Sequence, residues 1–347
     1  MLTALNLRYQ HGATRYDTPE AASPDSCPLF PAPDFPQAQA SPRKASQGKR
    51  PLRQTPTFFI SFPLRPSYFS TLMAKIPLED NFTDIIGKAQ RGLKLSDDQL
   101  SQRAGVSVAE VQAIKNGEVK EDAIRKLAKV LGLGATALVD SAQKSWYPVA
   151  HEIAGLAQFN TPYEDMTVNS YLVWDEKTKQ AAAFDTGADA GPMLDFAKKR
   201  GLKIQAILLT HTHPDHIADL SRLKKETGAP TFVPALESTS GAEPFKEGRT
   251  FTVGSLQIET RKTSGHSVGG TTYVISGLAQ PVTVVGDSMF AGSMGGGGIS
   301  YPDALENNRK KILTLPDNTV ICPGHGPLTS AGEEKQHNPF FPEFQKK

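Results

Sequence analysis

The sequence predicts an α/β fold with a small all-α segment in front of it, and three observations carry that expectation. From about residue 147, apolar runs of strand length alternate with helical stretches. Over residues 80–141 the apolar positions recur at helical spacing instead, punctuated by cap residues and glycines. Between the strands sits one dense polar stretch, Thr210-His211-Thr212-His213-Pro214-Asp215-His216. It follows the apolar run 205–210, which reads as a buried strand. Strand alternation would point His211 and His213 to one side, and the turn at Pro214 would swing Asp215 and His216 toward a second point. Such a set of imidazoles and carboxylate can hold two metal ions close together.

Composition bounds the rest. The 347 residues are enough for two domains, and 38% hydrophobic content is low enough to imply that part of the chain is not packed. Cys27 and Cys322 are the two cysteines and no CxxC occurs, so a reducing cytoplasmic location is the default. No apolar run approaches ~18 residues, so no membrane partner is expected. The net charge is +2, but residues 1–72 hold eight of the 38 basic and four of the 36 acidic side chains. The remainder is slightly acidic, which weakens any argument from charge to nucleic acid.

Taken in order, residues 1–72 hold eleven of the 26 prolines and no sustained period. They read as a disordered leader that cannot offset its ordering entropy. There is no secretory signal, and the prolines argue against the amphipathic helix of a transit peptide. Met73 is an alternative start, since a well-patterned domain opens directly behind it, and the leader is expected to be dispensable.

Residues 74–143 read as five helices. Phe82, Ile85, Ile86 and Ala89 mark the first. Ser96 with Gln99, and Ser107 with Glu110, form capping boxes for the second and third. Ile124, Leu127, Ala128 and Leu131 stripe the fourth, which stops at Gly132, and a fifth covers about 134–141. Two short helices joined by a glycine turn describe a helix-turn-helix. The run Leu95–Leu100, the turn Ala104–Val108, Ile114 with Gly117, and Leu127 with Leu131 resemble lambda-repressor-like helix-turn-helix domains. The resemblance implies a groove-facing helix over 107–116, with Ser107, Gln112 and Lys115 reading DNA. However, residues 74–143 carry ten basic and ten acidic side chains, and that helix one lysine. This balance favours dimerisation or docking over DNA contact.

Residues 147–340 read as the α/β body. Strands are expected at 168–174, 180–184, 205–210, 231–233, 250–252, 256–260, 271–275, 282–285 and 319–321, with helices over 190–201, 216–227 and 304–313. Three further segments set a polar ligand candidate between glycines or just past a strand: Gly265-His266-Ser267, Gly286-Asp287-Ser288 and Pro323-Gly324-His325-Gly326-Pro327. Glycine lets the backbone turn sharply and approach closely there. His11, His151 and His337 stand outside these motifs as ordinary residues. Cys322 reads as a small core residue, and Ser288 and Tyr273 as packing groups.

The ordered series HxHxDH, GH[ST], GD and PGHGP resembles the metallo-β-lactamase superfamily, nearest its hydroxyacylglutathione hydrolase (glyoxalase II)-like branch. The resemblance implies a four-layer αβ/βα sandwich with metals at one rim of its two sheets. It implies that His211, His213 and His266 hold one ion, that Asp215, His216 and His325 hold another, and that Asp287 bridges. Asp185 would orient the ligands from behind. Two divalent ions, zinc first with iron or manganese also suited, would share a hydroxide as nucleophile and polarise a carbonyl, with Asp215 as the catalytic residue that orients it and takes its proton. His213 stands where the flavodiiron oxygen reductases carry glutamate, which counts against those.

The sequence departs from the branch in three places. Ile217-Ala218-Asp219 replaces the usual glycines, a glycine run at 293–298 is expected to be flexible, and 22 residues follow His325, too few for the helical region that binds glutathione. The expected function is therefore a dinuclear hydrolase of a small thioester, ester or lactone. The alternatives are a mononuclear iron persulfide dioxygenase using His211, His266 and Asp287, and a DNA-binding regulator with a metal-binding sensor.

Overall fold

A computed structural model describes residues 75–345. The expectations for residues 1–72, Met73, His11 and Cys27 lie outside the described residues.

Five helices come first: α1 (Phe82–Gly92), α2 (Asp97–Ala104), α3 (Val108–Lys115), α4 (Glu121–Leu131) and α5 (Ala135–Gln143). Local chemistry sets their ends. Asn81, Ser96 and Ser107 each close a reciprocal capping box, satisfying amide groups that a helix start leaves unpaired. Gly105 and Gly132, at φ 61° and 69°, take the left-handed caps that stop α2 and α4.

Two six-stranded sheets follow. The first has the order β1-β2-β3-β4-β5-β6, from β1 (Leu156–Tyr163), β2 (Met166–Trp174), β3 (Gln180–Phe184), β4 (Lys203–Leu208), β5 (Thr231–Pro234) and β6 (Glu243–Phe245). Strands β3 to β6 run parallel. The second has the order β12-β11-β10-β9-β8-β7, from β7 (Thr250–Val253), β8 (Leu256–Lys262), β9 (Thr271–Ser276), β10 (Val282–Gly286), β11 (Val320–Pro323) and β12 (Thr329–Ser330). Helices α6 (Gly191–Arg200), α7 (Pro214–Ile217), α8 (Leu220–Thr227), α9 (Tyr301–Asn307) and α10 (Ala331–His337) complete the body.

Three apolar clusters build four layers. Tyr171, Phe184 and Leu208 of one sheet meet Phe251, Tyr273, Val284 and Cys322 of the other. Leu172, Trp174 and Ile207 face outward onto Met193 of α6 and Leu223 of α8. On the opposite outer face Val285 and Ile321 pack with Ile312, Phe340 and Phe341, and Ile86, Leu127 and Leu138 of the leading helices belong to the same cluster. The αβ/βα sandwich is therefore as expected, and the helices share a core with it.

Several boundaries differ from expectation, each for a physical reason. Strands β1 and β6 were not anticipated; they are the two edges of their sheet and contain Pro162 and Pro244, residues a sheet tolerates at its margins. The short β12 and helix α10 were also missed. Strand β4 ends at Leu208, so His211 and His213 lie in an extended loop beyond it. Pro214, with its preset φ, opens α7, so Asp215 and His216 sit on a helical turn, and α8 starts separately at Leu220. The helix expected over 304–313 starts at Tyr301 and passes into a π-helical turn, Asn308–Ile312. Among the described residues no helix is long and apolar enough to cross a membrane.

One buried acid ties this outer layer together. The Glu334 carboxylate accepts from Gly292 N at 3.1 Å, Thr329 Oγ1 at 2.8 Å and Asn338 Nδ2 at 2.8 Å. Burial outweighs these donors and pushes it up to about 8 from an ordinary 4.5. A carboxyl whose folded pKa is raised binds its proton more tightly when folded, so its contribution to stability is present below about 4.5 and lost as pH rises through about 8. Urea midpoints should fall from pH 5 to pH 8 more steeply in the natural protein than in Glu334→Gln, each unit of pKa separation being worth about 1.4 kcal/mol. Parallel slopes would refute this.

Candidate metal centre

Parallel pairing of β3 with β4 places the residues just beyond both strands side by side. Asp185, following β3, accepts from Thr210 N and Thr210 Oγ1, each at 2.7 Å. It also accepts from His216 Nδ1 at 2.9 Å, which turns His216 Nε2 inward. Asp185 holds φ 54°, a left-handed conformation that aspartate tolerates better than most residues. Thr210 Oγ1 lies 3.0 Å from His211 Nδ1, leaving His211 Nε2 to face His213 Nδ1 at 3.1 Å.

The second sheet supplies the other half. Strands β10 and β11 are parallel neighbours, and Gly324 N donates to Gly286 O at 2.8 Å, so Asp287 and His325 emerge together. His325 Nδ1 is held by the Thr167 carbonyl at 2.7 Å. Its Nε2 lies 3.3 Å from Asp215 Oδ2 and 3.5 Å from Asp287 Oδ2. His266, from the loop between β8 and β9, bonds Gly296 O through Nδ1 at 3.2 Å and presents Nε2 to Asp287 Oδ2 at 3.2 Å. Two glycines make this approach possible. A Cβ on Gly324 would lie 2.0 Å from Asp287 Oδ1, and one on Gly295 would lie 1.9 Å from Asp287 O.

All seven side chains singled out from the sequence converge, in two groups. One is His211, His213, His266 and Asp287; the other is Asp215, His216 and His325; within each, the donor atoms lie within 4.8 Å of one another. The donor chemistry, imidazole nitrogen with carboxylate oxygen, fits a divalent ion of the zinc, iron or manganese kind. Two buried atoms make the same point: His216 Nε2 and Asp287 Oδ1 lie 3.2 Å apart, yet among the described residues neither has a hydrogen-bond partner. Orphaned polar atoms at this depth are costly unless something else binds them.

Charge follows the same division. Burial, then His216, drives His211 well below the ordinary imidazole value, and burial lowers His266. Burial would also lower His216 and His325, but Asp287 leads the carboxylates that push them up to about 10 and about 11. Asp287 would be raised by burial; His216 and His325 hold it well below the usual carboxylate range. Burial opposes, and His325 and His216 outweigh it, in lowering Asp215.

Other expectations are placed as follows. Tyr273 donates to Leu209 O at 2.5 Å and Ser288 Oγ to Thr263 Oγ1 at 2.7 Å, so both pack. Cys322 is fully buried, which raises its thiol. His151 pairs with Glu333 at 3.1 Å, and His337 stacks on Trp146. Asp219 caps Ala190 N at 2.9 Å. In the glycine run 293–298, Gly295 is buried against Asp287 and His266, while Gly298 is exposed. In the leading helices Gln112 is exposed, Lys115 pairs with Asp97 at 2.6 Å, and Ser107 bonds Glu110.

Three neighbours of the site were missed. Glu237 clamps two loops, accepting from Thr212 Oγ1 at 2.7 Å and Gly269 N at 2.8 Å. Thr210 positions Asp185 and His211. Glu79, ahead of α1, sets Oε2 4.0 Å from His325 Nδ1, and burial raises its carboxyl. A lone acid or threonine carries no motif, so the sequence held no signal for them.

Comparison with known proteins agrees with this geometry. The sequence pattern of the metallo-beta-lactamase superfamily matches residues 163–325. Over 209 residues the chain is 28% identical to a probable metallo-hydrolase, YqgX, of Bacillus subtilis, covering 53% of this chain and 96% of that protein. It is 30% identical over 206 residues to an uncharacterized protein of Aquifex aeolicus, covering 53% and 96% respectively. It is 26% identical over 198 residues to the hydroxyacylglutathione hydrolase GloC of Haemophilus influenzae, covering 50% and 92%. The two sheets, their rim of histidines and aspartates, and relatives matched over nearly their whole length lead to one conclusion: the chain belongs to the metallo-β-lactamase superfamily and is a metal-dependent hydrolase.

Proposed function

We propose that the protein is a dinuclear hydrolase of small thioesters, esters or lactones. The observation that supports this best is the pair of ligand groups facing one carboxylate, Asp287, which lies within 3.5 Å of His216, His266 and His325. His211, His213, His266 and Asp287 would hold one ion, and Asp215, His216 and His325 the other, zinc being favoured by the nitrogen-rich set. Two such ions supply an activated water and a Lewis-acid hold on a carbonyl oxygen. Asp215, with its carboxylate beside His325, is suited to orient that water and accept its proton. Asp185 keeps His216 in the tautomer that turns Nε2 inward, and Thr167 O does the same for His325.

Elemental analysis of the purified protein, followed by a panel of thioesters, esters and lactones on the same sample, tests the reading. About two metal ions per chain and chelator-sensitive hydrolysis are expected. One iron per chain with oxygen uptake on glutathione persulfide would instead assign the mononuclear dioxygenase. Salt-dependent, sequence-preferring DNA binding would assign the regulator, although Ser107 and Lys115 would first have to leave Glu110 and Asp97.

The role of Asp185 gives a separate prediction. Asp185→Asn keeps the left-handed backbone but removes the charge facing His216, and metal affinity should fall about 10- to 100-fold. A competition titration with a chelator measures it, and an unchanged affinity would sink the idea.

A further inference from the structure

The leading helices bring an unneutralised charge close to the loop that braces His266. A cleft of about 610 Å³ runs between α1 and the loop from Gly296 to Pro302. Lys88, Arg91 and Lys94 line one wall, and no carboxylate lines either. Lys88 is committed: it pairs with Asp80 and donates to Met294 O at 2.9 Å. Arg91 and Lys94 are exposed and, among the described residues, neither makes an ion pair. Basic side chains at a helix C-terminus are common and often only solvated. Two features set these apart. They line a solvent-open cleft together, and the facing wall includes Gly296, whose carbonyl lies 3.2 Å from His266 Nδ1. A group held in the cleft is thus one residue away from a side chain of the centre. The segment 74–143 as a whole is balanced at ten basic and ten acidic residues, so this surplus is local. Like charges along a low-dielectric wall focus potential into the space between them.

We propose that this cleft binds an anionic arm of the substrate, a carboxylate or phosphate, with Arg91 and Lys94 as its counter-charges. The proposal rests on the hydrolase reading above and narrows its substrate class. The arm would lie along α1, with the scissile carbonyl directed past the 293–298 loop toward the paired ligand groups. The appended helices would then act as a substrate-selecting wall.

The test uses the full-length, metal-loaded chain and two thioesters that differ only in a carboxylate or an amide on the thiol portion. The natural protein should prefer the carboxylate by about tenfold in kcat/KM, the scale of one hydrogen bond to a charged group. R91Q/K94Q should lose that preference through KM, and the remote, exposed pair R103Q/K129Q should keep it. Inorganic phosphate provides a second readout. It should shift the amide resonances of Gly296–Gly298 in the natural protein but not in R91Q/K94Q. If neither thioester is turned over while phosphate still binds in an Arg91- and Lys94-dependent way, the cleft stands and the hydrolase reading fails. Equal turnover of the two thioesters, or a preference that survives in R91Q/K94Q, overturns the proposal.

Discussion

Asp287→Asn is expected to reduce hydrolysis by about a thousandfold or more, the upper range for losing one preorganised charge-stabilising group. Its carboxylate belongs to the first ligand group and lies 3.2 Å and 3.5 Å from His216 and His325 of the second. An amide of the same shape removes the negative charge and turns an NH₂ toward imidazole nitrogens that need an acceptor or an ion. Both positions should weaken together, so bound metal should drop below one ion per chain. The folded protein should also lose stability, because the buried His216 and His325 would keep less of their counter-charge. Elemental analysis, kinetics and a thermal melt on one preparation separate these effects. Retention of two ions with activity within tenfold of the natural protein would remove Asp287 from the centre. His151→Ala, in a residue paired with Glu333 away from the cluster, is the matched control.

Removing the chain up to residue 146 is expected to abolish cooperative folding of the remainder. Tyr301, Ile312, Leu313, Phe340 and Phe341 of the body share an apolar cluster with Phe82, Ile86, Leu127 and Leu138 of the leading helices. The contact is close. A Cβ on Gly92 of α1 would lie 2.3 Å from the Tyr301 ring, and Gly134 N donates to Pro339 O at 2.7 Å. Exposing large side chains of this kind costs roughly 1.5–3 kcal/mol each, so a few suffice to exhaust a typical margin of about 5–15 kcal/mol. The truncated chain should be insoluble or melt without a sharp transition. A fragment from residue 147 that melts within a few degrees of the full protein would show that the helices are a detachable domain, as their sequence pattern alone suggests.

Much of the architecture was legible because its signals are local. Capping boxes at Ser96 and Ser107, the left-handed stop at Gly132 and the apolar stripe of α4 each lie within a few residues of the feature they set. The seven polar side chains were legible for the same reason, since each sits in a short motif beside a strand end. What escaped notice depends on distance. Lys88 reaches Met294 O across 206 residues, and Glu237 joins two loops that share no pattern. Edge strands escaped because proline and polar residues, which a margin tolerates, blur the alternation that marks a strand.

The seven side chains of the centre spread from His211 to His325 and hang from two different sheets. A nascent polypeptide that has closed only its first sheet owns His211, His213, Asp215 and His216 but no Asp287. The complete ligand set therefore forms late, after the long-range pairings that make such topologies slow to form. An ion bound only by the finished molecule acts as a latch, adding RT ln(1 + [M]/Kd) to its resistance to unfolding. Starvation for the cation would then be felt as a loss of abundance as well as a loss of turnover.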